Sequence, residues 1–541
     1  MTAPQLTRYI QGQGVVSGDQ LNTFEQTCDN VVQLRALIGV TGMQVFIRGY
    51  VAPGDGGAGP FYWNATALGP DDGATVIVPQ PGVPGAWLRL NISQTGVVAI
   101  TNIASLRAFF GGGAVPVVWV EGYYTLADGG EGMFVYNPTD ITSADNGGTI
   151  IIDAANHRYH RETQSFPISV KWFGAKGDGV TDDTIAIQNT LTYCMNSIQQ
   201  ARIAAGNYLC NSPITLTFPG GEWAFSMVGD GIDISTLNFP ASNGLTINYV
   251  GLYNTSMICD MSIRGGGLGL YTGLTLNQTD TNLPNATSGS LNLLSNLSFY
   301  GNDTYFGTNY WKQCIQINSV SQINFENINC YSHGPFGGGF VSDGFGVGIV
   351  GTSTAVGVVY NFTNSNFTSI GTGITYGTQI QGLSITGCNF TGGNIGVDIP
   401  AGGGNLAELS VVNSQFNCAN YGIRCLTPCG PVNLSNNLVY VGQSGGTGAA
   451  GFFISTNEIT VITGNTFIGP GTTTNAFGVD IGSNPNNLAN MISGNTFERL
   501  ATGILLNAQS SLTNVQSNAY NGNTTNVSNL GTGNTVGGGS S

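Results

Sequence analysis

Carboxylates and aromatic rings crowd one stretch of this 541-residue chain more densely than any other. Tyr300, Asp303, Tyr305, Phe306, Tyr310, Trp311 and Lys312 come first, then Glu326, then His333, Phe336, Phe340, Asp343 and Phe345. Aromatic faces stack on sugar rings, and two carboxyl groups supply the acid and the base or nucleophile that break a glycosidic bond. A separation of about 5 to 5.5 Å suits retention and about 6.5 to 9.5 Å suits inversion. Asp303, Glu326 and Asp343 are the catalytic candidates, and Tyr305, Tyr310, Trp311, Lys312, His333 and Phe336 are the substrate-binding ones. The competing reading is a set of solvated loop carboxylates beside half-buried rings. Elimination from a uronate is a further alternative, with Arg264, Lys312 and His333 as the cationic and basic groups, although the supply of cations is thin.

A repeat must position these residues. Gly, apolar, any residue, apolar returns as Gly244-Leu245-Thr246-Ile247, Gly273-Leu274-Thr275-Leu276, Cys314-Ile315-Gln316-Ile317, Gly346-Val347-Gly348-Ile349 and Gly373-Ile374-Thr375-Tyr376. It continues as Gly396-Val397-Asp398-Ile399, Gly422-Ile423-Arg424-Cys425, Gly451-Phe452-Phe453-Ile454, Gly478-Val479-Asp480-Ile481 and Gly503-Ile504-Leu505-Leu506. A second series, Asn366-Phe367, Asn389-Phe390, Gln415-Phe416, Thr466-Phe467 and Thr496-Phe497, runs in phase with it. The period-2 pattern, rich in β-branched residues, predicts strands, and the repeat length predicts a solenoid whose coils stack about 4.8 Å apart. The third positions then point outward as a ladder. Asp398 and Arg424 become neighbours, either as a surface ion pair or as part of a site. The two longest gaps, 41 and 32 residues, flank Gln316, so the crowded stretch leaves the coil as loops on one flank.

Composition supports a rigid β protein. Charged residues are 8% and Gly numbers 82, which suits turns that need small residues. A formal charge of −15 and a pI near 4.3 argue against nucleic acid or an anionic membrane as partner, and favour a neutral or weakly charged substrate. No stretch of 18 apolar residues predicts membrane insertion, and the first residues do not read as a signal peptide. No cofactor is expected. Cys259, Cys330 and Cys388 sit in strand patterns as buried hydrophobes, whereas Cys418, Cys425 and Cys429 leave a metal, a disulfide and free thiols open.

The first 160 residues hold a duplication. Leu34-Arg35-Ala36 recurs as Leu106-Arg107-Ala108, and Gly49-Tyr50 as Gly122-Tyr123. Asp55-Gly56-Gly57-Ala58-Gly59-Pro60-Phe61 likewise recurs as Asp128-Gly129-Gly130-Glu131-Gly132-Met133-Phe134. Asp55 and Asp128 read as turn residues, with a metal or sugar contact as the alternative.

After these modules comes Val170-Lys171-Trp172-Phe173-Gly174-Ala175-Lys176-Gly177-Asp178-Gly179-Val180-Thr181-Asp182-Asp183-Thr184-Ile185-Ala186-Ile187-Gln188. Thr181 or Asp182 is placed to cap a helix, and Ile187, Leu191, Met195 and Ile198 form its apolar stripe. Asp178, Asp182 and Asp183 read as turn and helix-start residues, with a catalytic or metal cluster as the rival. This stretch resembles the lead-in motif of the pectate-lyase-like superfamily, which includes phage tailspikes and polygalacturonases. The paired Asp motifs, Gly-His-Gly and Arg-Ile-Lys of the polygalacturonase branch are not present.

The resemblance implies an all-β protein: a right-handed parallel β-helix (solenoid) with a capping helix, preceded by duplicated small β modules. The expected divisions are 1–90 and 91–165 for the modules, the first for virion attachment, 166–205 for the lead-in motif and capping helix, 206–525 for the glycan-binding β-helix, and 526–541 for a flexible tail. It also implies a homotrimer on the virion, outside the cell, joined to a phage tail or baseplate protein and acting on a bacterial surface polysaccharide. Endoglycosidic hydrolysis by a carboxylate pair leads; a non-catalytic glycan-binding adhesin and a polysaccharide lyase are the alternatives.

Overall fold

A computed structural model describes residues 26–537 apart from 41–42, 54, 56, 68–69, 72, 80–83, 90–96, 111–114, 164–166, 222, 252–253, 280–291, 335–339, 352–356, 378, 402–405, 427–428, 443–447, 456–458, 472–474 and 483–489. The chain divides into two units, 1–174 and 175–541.

The first unit contains the duplication as two five-stranded sheets of matching strand order, each with one short helix, Val31–Arg35 or Ile103–Arg107. Asn30 and Asn102 cap these helices by accepting from Gln33 N (3.0 Å) and Ser105 N (2.9 Å). Asp55 accepts from the backbone N–H groups of Tyr50, Val51, Ala52 and Gly57, and Asp128 from those of Tyr123, Tyr124, Thr125 and Gly130. Both carboxylates are the hubs of tight turns, and the backbone bonds hold Asp55 well below the usual carboxylate range.

In the second unit the helix Thr184–Ser197 covers the first coils, with Ile187, Leu191, Cys194 and Met195 buried. The stripe stops earlier than expected. Ile198 ends the helix in the left-handed region (φ 53°) and is 63% exposed. Asp183, not Thr181 or Asp182, is the N-cap, and its carboxylate accepts from Lys176 N (2.6 Å) and Gly177 N (2.8 Å). Asp182 accepts from Thr184, and Asp178 from Val180 and Thr181. The three carboxylates build a turn and a helix start.

Beyond the helix the chain winds as a parallel β-helix, most coils contributing three strands. All ten third positions fall in one register column: Thr246, Thr275, Gln316, Gly348, Thr375, Asp398, Arg424, Phe453, Asp480 and Leu505 are successive partners. Their apolar neighbours Ile374, Val397, Ile423, Phe452, Val479 and Ile504 are fully buried. The second series stacks its rings, Phe367 on Phe390 and Phe390 on Phe416 with centroids 4.9 Å apart, the spacing of strands. The glycine that opens each repeat follows from those rings. A Cβ on Gly373 would lie 2.5 Å from Phe390 Cδ1, so ring and glycine recur in phase.

Two features were not foreseen. Val439 takes the place of a Phe between Phe416 and Phe467, which conceals that coil from the Phe pattern. A third inner column, Leu294, Phe325, Phe362, Ile385, Val411, Leu434, Ile462 and Ile492, runs opposite the others. The expected tail is also corrected, since Thr525–Asn529 pairs with Thr502–Leu506 and Thr535–Val536 with Asn514–Val515, so the stack continues through both segments.

At the bend before each ring lies a buried polar ladder. Asn465 Oδ1 accepts from Asn437 N and Nδ2 (2.9 Å each), Asn495 Oδ1 from Asn465 N and Nδ2 (2.9 Å each), and Asn518 Oδ1 from Asn495 N (2.9 Å) and Nδ2 (3.0 Å). All four asparagines are at most 2% exposed. Cys418 is a buried free thiol, pushed up to about 12 by burial, and Cys425 is buried too; the side chain of Cys429 lies outside the described residues.

Asn465→Ala removes both sides of two rungs, and urea unfolding should show a loss of at least about 1 to 3 kcal/mol. Asn366→Ala, on the half-exposed outer ladder, should lose well under half of that. Asp480, 9% exposed between Phe453 and Leu505, is raised to about 6 by burial, opposed by the Asn507 amide. A raised carboxyl pKa destabilises the fold as pH climbs from about 4 through about 6. Asp480→Asn should therefore raise the melting temperature at pH 7, by on the order of 2 to 3 kcal/mol of stability, and flatten its dependence on pH over that window. An unchanged pH profile would refute this reading.

Candidate functional site

The coil has no room for extra residues between the ring strand and the next ladder strand, so long connections leave at that corner. Parts of three of them, residues 266–271, 302–312 and the described residues 332–334 and 340–344, surround an open cavity of about 570 Å3 lined by Leu268, Phe306, Gly307, Thr308, Tyr310, His333, Gly334 and Asp343. Of the sequence candidates, Tyr310, His333 and Asp343 meet there. His333 Nδ1 donates to Gly334 O at 2.8 Å, which assigns the proton to that nitrogen and turns Nε2 toward Asp343 Oδ2 at 3.4 Å. Nε2 is buried and has no hydrogen-bond partner among the described residues. An imidazole nitrogen and a carboxylate oxygen hydrogen-bond only through a proton carried by one of them. Ser342 Oγ donates to Asp343 Oδ1 at 3.0 Å. The Tyr310 ring lies 4.4 Å from the imidazole, and burial together with the Asp343 charge raises its phenol, which keeps it a donor.

The other candidates lie elsewhere. Asp303 clasps its own loop, accepting from Thr304 N (2.9 Å), Thr308 N (2.7 Å), Thr308 Oγ1 (3.0 Å) and Asn309 N (3.2 Å). Burial raises its pKa, but these bonds outweigh it and the net shift is downward. Both oxygens are engaged, so Asp303 shapes the cavity wall. Glu326 is exposed within the strand Ile323–Tyr331, in register with Ser295 and Thr363 and outside the cavity lining. Trp311 is fully buried, its Nε1 donating to Ile263 O at 3.1 Å, which leaves no ring face for a sugar. Lys312 is exposed on the strand edge, and Phe336 lies outside the described residues.

Tyr305 belongs to a second cluster that sequence reading missed. Asp233 accepts from the hydroxyls of Tyr300, Tyr305 and Ser262. The rings of Tyr300 and Tyr305 stack at 4.0 Å, and the Arg264 guanidinium covers Tyr300 at 4.6 Å. Tyr305 and Phe306 both set an edge against Tyr331. This braces residues 302–312 from two coils earlier. Asp233 follows the Gly229-Asp230-Gly231 turn closely, so its sequence context signals only a turn.

Residues 27–92 and 99–164 each match the phage tail protein small four-stranded beta-sheet domain. The two front modules are phage tail domains. No curated protein matches the chain. Among solved structures, tailspike protein 2 of Escherichia coli O157:H7 bacteriophage CAB120 is similar at 14% identity and TM-score 0.49, over 77% of this chain and 56% of that one. The gp42 tailspike of Acinetobacter phage vb_AbaP_AS12 is similar at 14% identity and TM-score 0.48, over 81% and 75%. The A-module of Azotobacter vinelandii mannuronan C-5 epimerase is similar at 14% identity and TM-score 0.44, over 68% and 100%. In this chain the two modules precede the parallel β-helix.

If Asp303 is a clasp, Asp303→Ala should cost about 1 to 3 kcal/mol and speed proteolysis within residues 302–312. Asp343→Asn should stay within about 0.5 kcal/mol of the parent. Equal stability of the two variants would remove the distinction between wall and site.

Proposed function

We propose that this chain is a phage tailspike, held on the virion through its phage tail modules, that binds and depolymerises a bacterial surface polysaccharide, capsule or O-antigen. The observation that carries the reading is the open cavity in which Asp343, His333 and Tyr310 converge on the flank of a rigid β-helix. A homotrimer on the tail, outside the cell, is the assembly in which this would act.

Endoglycosidic hydrolysis remains the leading reaction, with one change of residues. The described lining of the cavity holds one carboxylate, Asp343, and its partner in proton transfer is the His333 imidazole. The pair gives its proton to the glycosidic oxygen as the bond to the anomeric carbon breaks. Water adds its oxygen to that carbon and returns a proton to the pair, while ionised Asp343 opposes the positive charge that develops on the sugar. Tyr310 supplies a ring face and a hydroxyl donor. The acidic surface favours a neutral or weakly charged glycan. The imidazole and phenol side by side favour one second reading, β-elimination from a uronate, in which His333 takes the proton beside the carboxylate and the phenol protonates the leaving oxygen.

Purified capsule and O-antigen from a panel of host strains test this. New reducing ends report hydrolysis, and absorbance from an unsaturated uronate reports elimination. Asp343→Asn and His333→Asn should each slow cleavage at least about 100-fold, and Glu326→Gln should leave it within about twofold. Retention of the glycan without either product would leave a binding adhesin, and full activity of both variants would move the site elsewhere.

A further inference from the structure

The coils that carry Asp398 and Arg424 follow those that carry the cavity, with the buried Thr372 and Ile395 at the rungs between Phe345 and Tyr421. Gln313, Phe345, Thr372, Ile395, Tyr421 and Ala450 form one column of register partners in the β-helix. Phe345 follows Asp343 by two positions and is 39% exposed. The column therefore begins at the cavity rim and reaches Tyr421 three rungs later, about 14 Å away at about 4.8 Å per rung.

At that level the ladder changes character. Up to Thr375 its outward residues are small or amides, and then come Asp398, Arg424 and Phe453 in adjacent rungs. Arg424 Nε and Nη2 each bind one oxygen of Asp398 at 2.8 Å, so the pair is bidentate and Nη1 is left outside it. The guanidinium carbon lies 5.6 Å from the Tyr421 ring centre, and the Tyr421 and Phe453 rings are 5.9 Å apart at 58°. Tyr421, Arg424 and Phe453 are half-buried, while Asp398 forms the base beneath them. A surface ion pair contributes about 0 to 1 kcal/mol to folding, which does not account for two aromatic rings left partly open around it. A shallow aromatic floor beside a guanidinium that is fixed and already charge-balanced matches an uncharged sugar ring, apolar on its C–H face and rich in oxygen acceptors at its edge.

We propose that Tyr421, Phe453 and Arg424 form a distal subsite for an uncharged sugar of the same polysaccharide that enters the His333–Asp343 cavity. This rests on the function proposed above. Two subsites on one rigid β-helix bind a long chain more tightly than either binds a fragment, because the second contact is intramolecular. A glycan that spans three rungs engages both, and a shorter one fills only the cavity.

The test uses the full chain, purified capsule or O-antigen immobilised from the host panel, and short oligosaccharides made from it by partial acid hydrolysis. Tyr421→Ala and Phe453→Ala should each weaken retention on the intact polysaccharide at least about tenfold, with competition by the shortest fragments unchanged. Arg424→Lys, which keeps the charge and the packing stem, should show a smaller loss of the same kind. Intact-chain binding equal to wild type in all three variants overturns the subsite. An equal loss with long and short glycans also overturns it, because the residues would then act through the fold. Retention of wild type by none of the polysaccharides overturns the proposed function along with it.

Discussion

Parallel strands held in register at one spacing govern this protein. Each coil lies on a near copy of itself, so a residue at a given position meets its counterpart about 4.8 Å above and below. Side chains that stack well on themselves are rewarded at every rung. Phenylalanine does so through offset rings, as Phe367, Phe390 and Phe416 show at 4.9 Å. Asparagine does so through its amide, which both donates and accepts, and the run from Asn437 to Asn518 makes a polar bend affordable inside the core. Without such a ladder each bend would bury unpaired backbone groups.

The same constraint decides where chemistry can be placed. A stacked coil cannot absorb an insertion, so extra residues emerge at a corner and take support from one another. Residues 302–312 are held by Asp303 from within and by Asp233, through Tyr300 and Tyr305, from an earlier coil. The wall of the cavity is thus built by carboxylates that have no freedom left for catalysis. Asp343 is more exposed, and among the described residues its carboxylate meets Ser342 and His333, so it keeps that freedom.

Much of the scaffold was legible because the repeat is local and periodic. The spacing of Gly-apolar-x-apolar placed Asp398 beside Arg424, and the two are joined by a bidentate pair. The duplicated Asp-Gly-Gly segments announced two alike modules, which is how they fold. Legibility failed where a repeat was broken or degenerate. Val439 interrupts the run of rings, and the third apolar column varies among Leu, Phe, Ile and Val, so neither gave a fixed letter to follow.

For the candidate site, residue type and density pointed to the stretch where the cavity lies but did not separate the residues that line it from those that do not. Asp303, Asp343 and Glu326 look alike in sequence, each a carboxylate near aromatic residues. Backbone N–H groups converge on the first, an imidazole faces the second, and solvent surrounds the third. Trp311 resembled a sugar platform until its neighbours enclosed it. Sequence by itself determined the coil, its period and the flank on which the long loops emerge, because those depend on contacts repeated at fixed separation. Only the tertiary structure decided which acid is a clasp and which faces the cavity, because that depends on single contacts such as Asp233 with Tyr305, 72 residues apart, that no periodicity encodes.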